Sequence, residues 1–339
     1  MRLIKTEDAV GHVLCHDMTQ IIKDQYKDAR FRKGHVVTEE DIPVLLSMGK
    51  EHLYVWEMTP GMVHENDAAE RLLALCGQEN MIRSGVKEGK IELKAACDGV
   101  FLVDSARLVA VNSQDEVMIA TRKGGMAVRE GDKLAGMRVI PLIIEEEKLR
   151  KAEQAAGDKP LLSLKPYVRK TACIVATGGE VKKGLIKDTF TPVVIDKLKT
   201  YGIETLEVVY SGDGVENVRD AVLAMREKKP DMILCTGGMS VDPDDTTPSA
   251  IKQTGAEVVS YGAPVLPGAM FLLAYTKDGK SIMGLPGCVM YAKRTIFDLV
   301  LPRVMADVPV TKADLAKMGA GGLCLNCPTC IFPNCGFGK

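Results

Sequence analysis

The pattern of apolar and polar positions divides the chain into a mixed first part and a regular second part. In the first part, Ile42, Leu45, Leu46 and Met48 recur at helical spacing after a capping-box-like Thr38-Glu-Glu-Asp41, and the stripe stops at Gly49. Leu53–Trp56 reads as a strand. His64–Leu75 reads as an amphipathic helix that ends at Gly77, with His64 and Glu65 at a solvated start. Residues 86–144 are β-rich. Ile91-Glu-Leu-Lys alternates, and Gly99–Val103, Leu108–Asn112, Val117–Thr121 and Met137–Ile144 are further strand candidates between glycine turns. Glu145–Ala156 is a charged, alanine-rich helix, and Gly157-Asp-Lys-Pro160 after it marks a domain boundary.

From Thr171 strands alternate with helices. Ala172–Ala176, Thr205–Tyr210, Met232–Cys235 and Ser281–Leu285 are apolar runs of strand length. Helices are expected from about Thr191, over Val215–Lys228, over Thr247–Thr254 and over Met290–Leu301. This order predicts an α/β domain, a mainly parallel sheet in three layers, over residues 165–310. A mixed α+β, β-rich region precedes it over 1–156, and a cysteine-rich tail follows over 311–339.

Size and charge narrow the function classes. The chain has 339 residues, 46% hydrophobic and 26% charged, with a formal net charge of −1. That is a soluble globular profile without the basic excess of a nucleic-acid-binding protein. The N-terminus has no apolar signal core. The apolar run near 263–275 is broken by Pro264, Pro267 and Gly268, which argues against a membrane span. A cytoplasmic, homo-oligomeric protein is the expectation.

The candidate chemistry lies at strand ends. Thr177-Gly178-Gly179 and Thr236-Gly237-Gly238 are glycine turns, where backbone can approach a ligand and present N–H groups to a phosphate. Neither has Walker A or dinucleotide-fold spacing. The second turn leads to Ser240 and then to Asp242, Asp244 and Asp245 in an acidic loop before Thr246 and Thr247. The same residue types also serve a polar connecting loop with an Asp or Thr helix cap.

These motifs resemble, in order, those of the molybdopterin-binding domain shared by molybdopterin adenylyltransferases and molybdopterin molybdenumtransferases. Thr177-Gly-Gly-Glu-Val is similar to Thr-Gly-Asp-Glu-Leu, and Gly184-Leu-Ile-Lys-Asp188 to Gly-x-Ile-x-Asp. Gly237-Gly-Met-Ser-Val241 with Asp245 resembles Gly-Gly-x-Ser-Val-Gly-x-x-Asp. Pro267-Gly268 and Leu285-Pro286-Gly287 match two further motifs. Departures are Gly179 for an acid, Phe190 for Asn, Asp242 for Gly, Ala269 for Lys and Cys288 for Asn, so the chain resembles a divergent branch. The resemblance implies that Thr177, Gly178, Gly179, Thr236, Gly237, Gly238, Ser240, Pro267, Gly268, Leu285, Pro286 and Gly287 bind molybdopterin, in free or adenylylated form. It implies Glu180, Asp188, Asp242 and Asp245 as catalytic carboxylates around Mg²⁺, with molybdate as co-substrate. A non-catalytic molybdopterin carrier or sensor is the alternative. So is a nucleotide pyrophosphate hydrolase, because Asp244-Asp245-Thr246-Thr247 resembles the Asp-Asp-x-Thr of competence-damage-type proteins.

Six of the ten cysteines are scattered and read as small buried hydrophobes. The other four, Cys324, Cys327, Cys330 and Cys335, have the spacing Cys-x₂-Cys-x₂-Cys-x₄-Cys. Four thiolates are a full set for Zn²⁺ or for an iron–sulfur cluster, and the compact run is nearer to ferredoxin spacing than to paired zinc knuckles.

Overall fold

The computed structural model describes residues 2–22, 26–55, 60–242 and 245–339; the expected strand residue Trp56 and the loop residue Asp244 lie outside them. The chain forms two compact units. One comprises Met1–Ala95, Val103–Arg122 and Asp132–Ser163, the other Ala96–Leu102, Lys123–Gly131 and Leu164–Lys339. No helix among the described residues is long and apolar enough to cross a membrane.

The first unit is built from short antiparallel pieces. Arg2–Lys5 pairs with His52–Val55, and a four-stranded sheet runs in the order Met81–Arg83, Ile91–Ala95, Lys133–Val139, Val117–Thr121. The helix Asp41–Ser47 starts where Thr38 donates its N–H and hydroxyl to Asp41, both at 2.8 Å. Two expectations fail here. Leu108–Asn112 is not a strand but the end of a helix, Ser105–Asn112, because Asp104 accepts the Arg107 N–H and starts a turn. Val109 is then 64% exposed while Val111 is buried, a helical and not an alternating pattern. His64 and Glu65 are not solvated either; both are buried. His64 caps the helix Glu65–Leu75 through the Asn66 N–H and meets the Cys15 carbonyl at 2.8 Å. Burial pushes the Glu65 carboxyl up, against the pull of Arg138.

The second unit is an α/β domain. The strands of its main sheet are β1 (Thr171–Thr177), β2 (Glu204–Ser211), β3 (Met232–Thr236), β4 (Glu257–Tyr261), β5 (Leu272–Tyr275) and β6 (Ser281–Leu285). They form one sheet in the order β2-β1-β3-β6-β5-β4, parallel except that β5 runs the other way. The helices are α1 (Gly179–Lys182), α2 (Phe190–Lys199), α3 (Val215–Arg226), α4 (Thr247–Gln253), α5 (Ile296–Met305) and α6 (Lys312–Lys317). Successive strand residues point to opposite faces, so the apolar runs feed two cores. Ile174, Met232 and Leu234 pack with Val194 and Leu198 of α2 and Phe297 and Val300 of α5. Val175, Ile233 and Cys235 pack on the other side with Val222 of α3 and Ile251 of α4.

The helix expected over Met290–Leu301 begins later, at Ile296. A short 3₁₀ turn over Gly287–Met290 precedes it. The start is set by a capping box: Thr295 and Asp298 satisfy each other's backbone N–H groups. Asp298, only 3% exposed, also pairs with Lys197 of α2 at 3.0 Å and Arg294 at 2.8 Å.

At the opposite end of the sheet, Asp231 accepts the Lys170 and Thr171 N–H groups, the Thr171 hydroxyl and the Lys280 ammonium at 2.8–3.1 Å. Partial burial alone raises its pKa, but these donors outweigh it and hold the carboxyl at about 2. A depressed folded-state pKa contributes stability above the unfolded value, and that stability is lost as pH falls through the folded value. Asp231→Asn is therefore expected to lower unfolding free energy by about 2 kcal/mol at pH 7. The gap to the parent should shrink between about pH 4 and about pH 2 in urea titrations at each pH.

Candidate functional site

The parallel register brings the motif-bearing strand ends to one edge. Ala176 of β1 lies opposite Thr236 of β3, and Thr236 lies opposite Leu285 of β6. The turns that follow are therefore neighbours, at the carboxyl ends of the strands where open α/β sheets bind ligands.

The two glycine turns are held in contact. Thr177 Oγ1 donates to the Thr236 carbonyl at 3.0 Å. Thr247, at the start of α4, donates its hydroxyl to the Gly237 carbonyl at 2.9 Å and its N–H to the Gly238 carbonyl at 3.1 Å. Gly237 and Gly238 have φ of 84° and 59°. A Cβ on Gly237 would stand 2.5 Å from the Thr177 carbonyl oxygen, and one on Gly238 would stand 2.7 Å from Thr247 Oγ1. The hydroxyls of Thr177 and Thr247 thus hold backbone, while Ser240 is exposed at the mouth of the loop. Tyr261 of β4 steadies that loop by donating to the Met239 and Ser240 carbonyls.

The four carboxylates take different places. Asp245 accepts the Ser240 N–H at 3.0 Å and gives its own N–H to the Asp242 carbonyl at 2.9 Å, closing the acidic loop on itself. Asp242 is exposed, and so is Glu180 on α1. Asp188 caps α2 by accepting the Phe190 and Thr191 N–H groups at 2.9 and 3.0 Å. Partial burial disfavours its charge, but the donors of Thr191 and Phe190 prevail and its pKa is lowered. Its second oxygen is buried and makes no well-formed hydrogen bond, although the Tyr210 hydroxyl lies close enough to favour its charge. Among the described residues, no three His, Cys, Asp or Glu side chains converge to hold a metal ion.

Sequence reasoning missed Asp213. Its carboxylate accepts the Gly179 N–H at 2.9 Å and fills the space a Cβ on Gly179 would need. Where the resembled motif has an acid at position 179, this chain brings a carboxylate from the neighbouring turn after β2. No local pattern pairs Gly179 with Asp213, which lies in the turn after the next strand, so only the fold reveals the contact.

The remaining motif residues are partly structural. The Leu285 side chain is fully buried, and Pro286 leads into the 3₁₀ turn. Pro267 accepts the Ile296 N–H at 3.2 Å, and Gly268, at φ 124°, leaves no room for a Cβ against Ile296. The loop holding Pro267 also meets the tail: Leu266 donates to Gly322 and accepts from Cys324, each at 2.8 Å. All four tail cysteines line one cavity of about 240 Å³ with Pro267. The backbone N–H of Phe332 lowers the pKa of the Cys330 thiol, with further help from Arg294. Of the scattered cysteines, Cys15, Cys76, Cys173 and Cys235 are buried, and Cys97 and Cys288 are half-buried.

Residues 173–306 match the family described as probable molybdopterin binding domain. Residues 3–57 match a family described as a domain of unknown function. The chain is 22% identical over 216 residues to a molybdopterin molybdenumtransferase of Synechococcus elongatus, covering 60% of this chain and 51% of that protein. It is 34% identical over 95 residues to a CinA-like protein of Thermosipho melanesiensis, covering 26% of this chain and 22% of that one. Among solved structures, the molybdopterin biosynthesis enzyme MoaB of Thermus thermophilus aligns at 17% identity and a TM-score of 0.34, over 42% of this chain and 98% of that chain. The chain thus spans about half the length of the first relative and about a fifth of the second.

The contact between the turns gives a direct test. Gly237→Ala combines a left-handed backbone, costing about 1–2 kcal/mol, with a clash against Thr177. Gly184 has a φ of 72° and open space around it. Thermal melting should show Gly237→Ala losing clearly more stability than Gly184→Ala. Equal losses would mean that the two turns do not press together.

Proposed function

We propose that this chain binds molybdopterin in its adenylylated form and serves molybdate insertion during molybdenum cofactor biosynthesis, as a molybdenumtransferase-like protein. The observation that carries the reading is the pair of interlocked glycine turns at adjacent parallel strand ends, within the domain that matches the molybdopterin-binding family. Such turns offer backbone N–H groups to a phosphate. The carboxylates suit a divalent cation. Asp188 keeps one buried oxygen that shares only a loose interaction with the Tyr210 hydroxyl, and Asp242, Asp245 and Glu180 border the same edge. Mg²⁺ takes few protein carboxylates and completes its shell with phosphate and water. Bound there, Mg²⁺ would neutralise the pyrophosphate of the ligand; Asp245 orders the loop through Ser240. Zn²⁺ or an iron–sulfur cluster at Cys324, Cys327, Cys330 and Cys335 belongs to the same reading, as do a cytoplasmic location and a homo-oligomeric state.

A second reading has its own support. Ala269 stands where the resembled transferases carry Lys, which favours a carrier or sensor that holds molybdopterin without turnover.

Incubation with adenylylated molybdopterin, Mg²⁺ and molybdate separates the readings. AMP release with molybdenum uptake supports the transferase. Binding without AMP release supports the carrier, and AMP release without metal uptake a hydrolase. No binding in calorimetry with molybdopterin would remove all three. Asp245→Asn retains an oxygen for the Ser240 N–H, so it should leave folding and pterin binding intact while Mg²⁺-dependent AMP release falls at least tenfold.

A further inference from the structure

The four tail cysteines are of two kinds. Cys324 and Cys335 are half-buried and pack against the core that holds Phe297, Leu299 and Phe337. Cys327 and Cys330, between them in the chain, are the only exposed cysteines among the described residues. The anchors on either side are firm. Leu323 forms a parallel bridge with Leu266, the Cys324 N–H donates to the Leu266 carbonyl at 2.8 Å, and Phe337 is buried. The exposed pair therefore sits in a short loop with both ends tied to the domain.

The loop turns the pair toward one space. The chain bends at Pro328 and Thr329, the two residues that separate the cysteines. Lys293 Nζ donates to the Pro328 carbonyl at 2.9 Å and holds this bend against the body of the domain. The Phe332 N–H and the Arg294 guanidinium both donate toward the Cys330 sulfur, so that side chain is oriented. Arg294 is itself fixed by Asp298 at 2.8 Å and by the Phe332 ring, 5.0 Å from its guanidinium carbon. Both cysteines line the 240 Å³ cavity. A disulfide needs Cα atoms about 4–7 Å apart, and a chain reversal across two residues brings the flanking positions into that range.

We propose that Cys327 and Cys330 are a redox-active dithiol that closes to a disulfide by exchange with a low-molecular-weight disulfide. The thiolate of one cysteine attacks the external S–S bond, forms a mixed disulfide and releases one small thiolate. The second cysteine then attacks the protein sulfur of that mixed disulfide. The Cys327–Cys330 bond forms, and the second small thiolate leaves. The two cysteine protons end on the two released thiols, and the external disulfide takes up the two electrons. Exposure decides which thiols take part, because buried ones such as Cys15, Cys76, Cys173 and Cys235 are out of reach of the exchange. Spacing decides that the product is internal, because the second thiol is held beside the mixed disulfide as it forms. Pro267 lines the same cavity, so closing the pair alters a space shared with the loop that carries the Pro267-Gly268 motif.

This inference goes beyond pterin binding, and its test needs no pterin. The full chain is purified anaerobically in the reduced state and treated with oxidised glutathione. Peptide mass mapping should show a Cys327–Cys330 disulfide that forms about tenfold faster than any other cysteine is modified. Cys327→Ser and Cys330→Ser should each stop at a mixed disulfide, with glutathione on the cysteine that remains. Cys97→Ser should close the bond as the parent does. Far-UV circular dichroism shows whether the variants remain folded, and the map of the parent chain decides the matter where they do not. Three results would each overturn the proposal: thiols at 327 and 330 that react only after chelation or denaturation, a bond from either of them to Cys324 or Cys335, or glutathione on both without an internal bond.

Discussion

The domain depends on how closely the backbone of Gly237 passes Thr177. At 2.5 Å from the Thr177 carbonyl oxygen there is no space for a Cβ, so the turn after β3 lies directly against the turn after β1. The Thr177 hydroxyl then reaches the Thr236 carbonyl, and Thr247 ties the next two carbonyls to the start of α4. Each of these bonds contributes little alone, on the order of 1 kcal/mol. Together they fix the strand-end edge as a rigid surface of backbone, which is what recognition of a phosphate-bearing ligand requires.

A second constraint is the buried Asp298. It caps α5, pairs with Lys197 on α2 and holds Arg294 toward the tail. A carboxylate almost removed from water is costly unless its partners are complete, and here two cations and a backbone N–H complete them. The same residue therefore links a helix start, the packing of α2 against α5 and the position of the cation beside the cysteines. The later start of α5 follows from it: Ala292, Lys293 and Arg294 are released from the helix and form one side of the tail cavity.

The carboxylates show how motif residues and neighbouring turns share a task. Gly179 departs from the resembled pattern, yet Asp213 occupies the space its side chain would have taken and accepts its N–H. Asp188 and Asp245 spend part of their hydrogen-bonding capacity on the loops they belong to, as helix cap and loop clasp. The local order of these loops is thus built from the motif side chains themselves.

The sequence by itself determined the α/β domain. Uninterrupted apolar strands such as Met232–Cys235 can be satisfied only by burial on both faces, and the glycine turns mark where those strands end. It also determined the cysteine spacing and the motif order, because these are local in the chain. Tertiary structure alone decided the rest. Leu108–Asn112 has strand-forming residues, but the Asp104 cap and packing of one side made it helix. His64 and Glu65 look like a polar helix start, and only the fold around them buries them. The place of Asp213 beside Gly179 and of the tail cysteines beside Pro267 joins positions far apart in the chain. Such pairings depend on sheet register and helix packing, which summed contacts set and local sequence patterns do not encode.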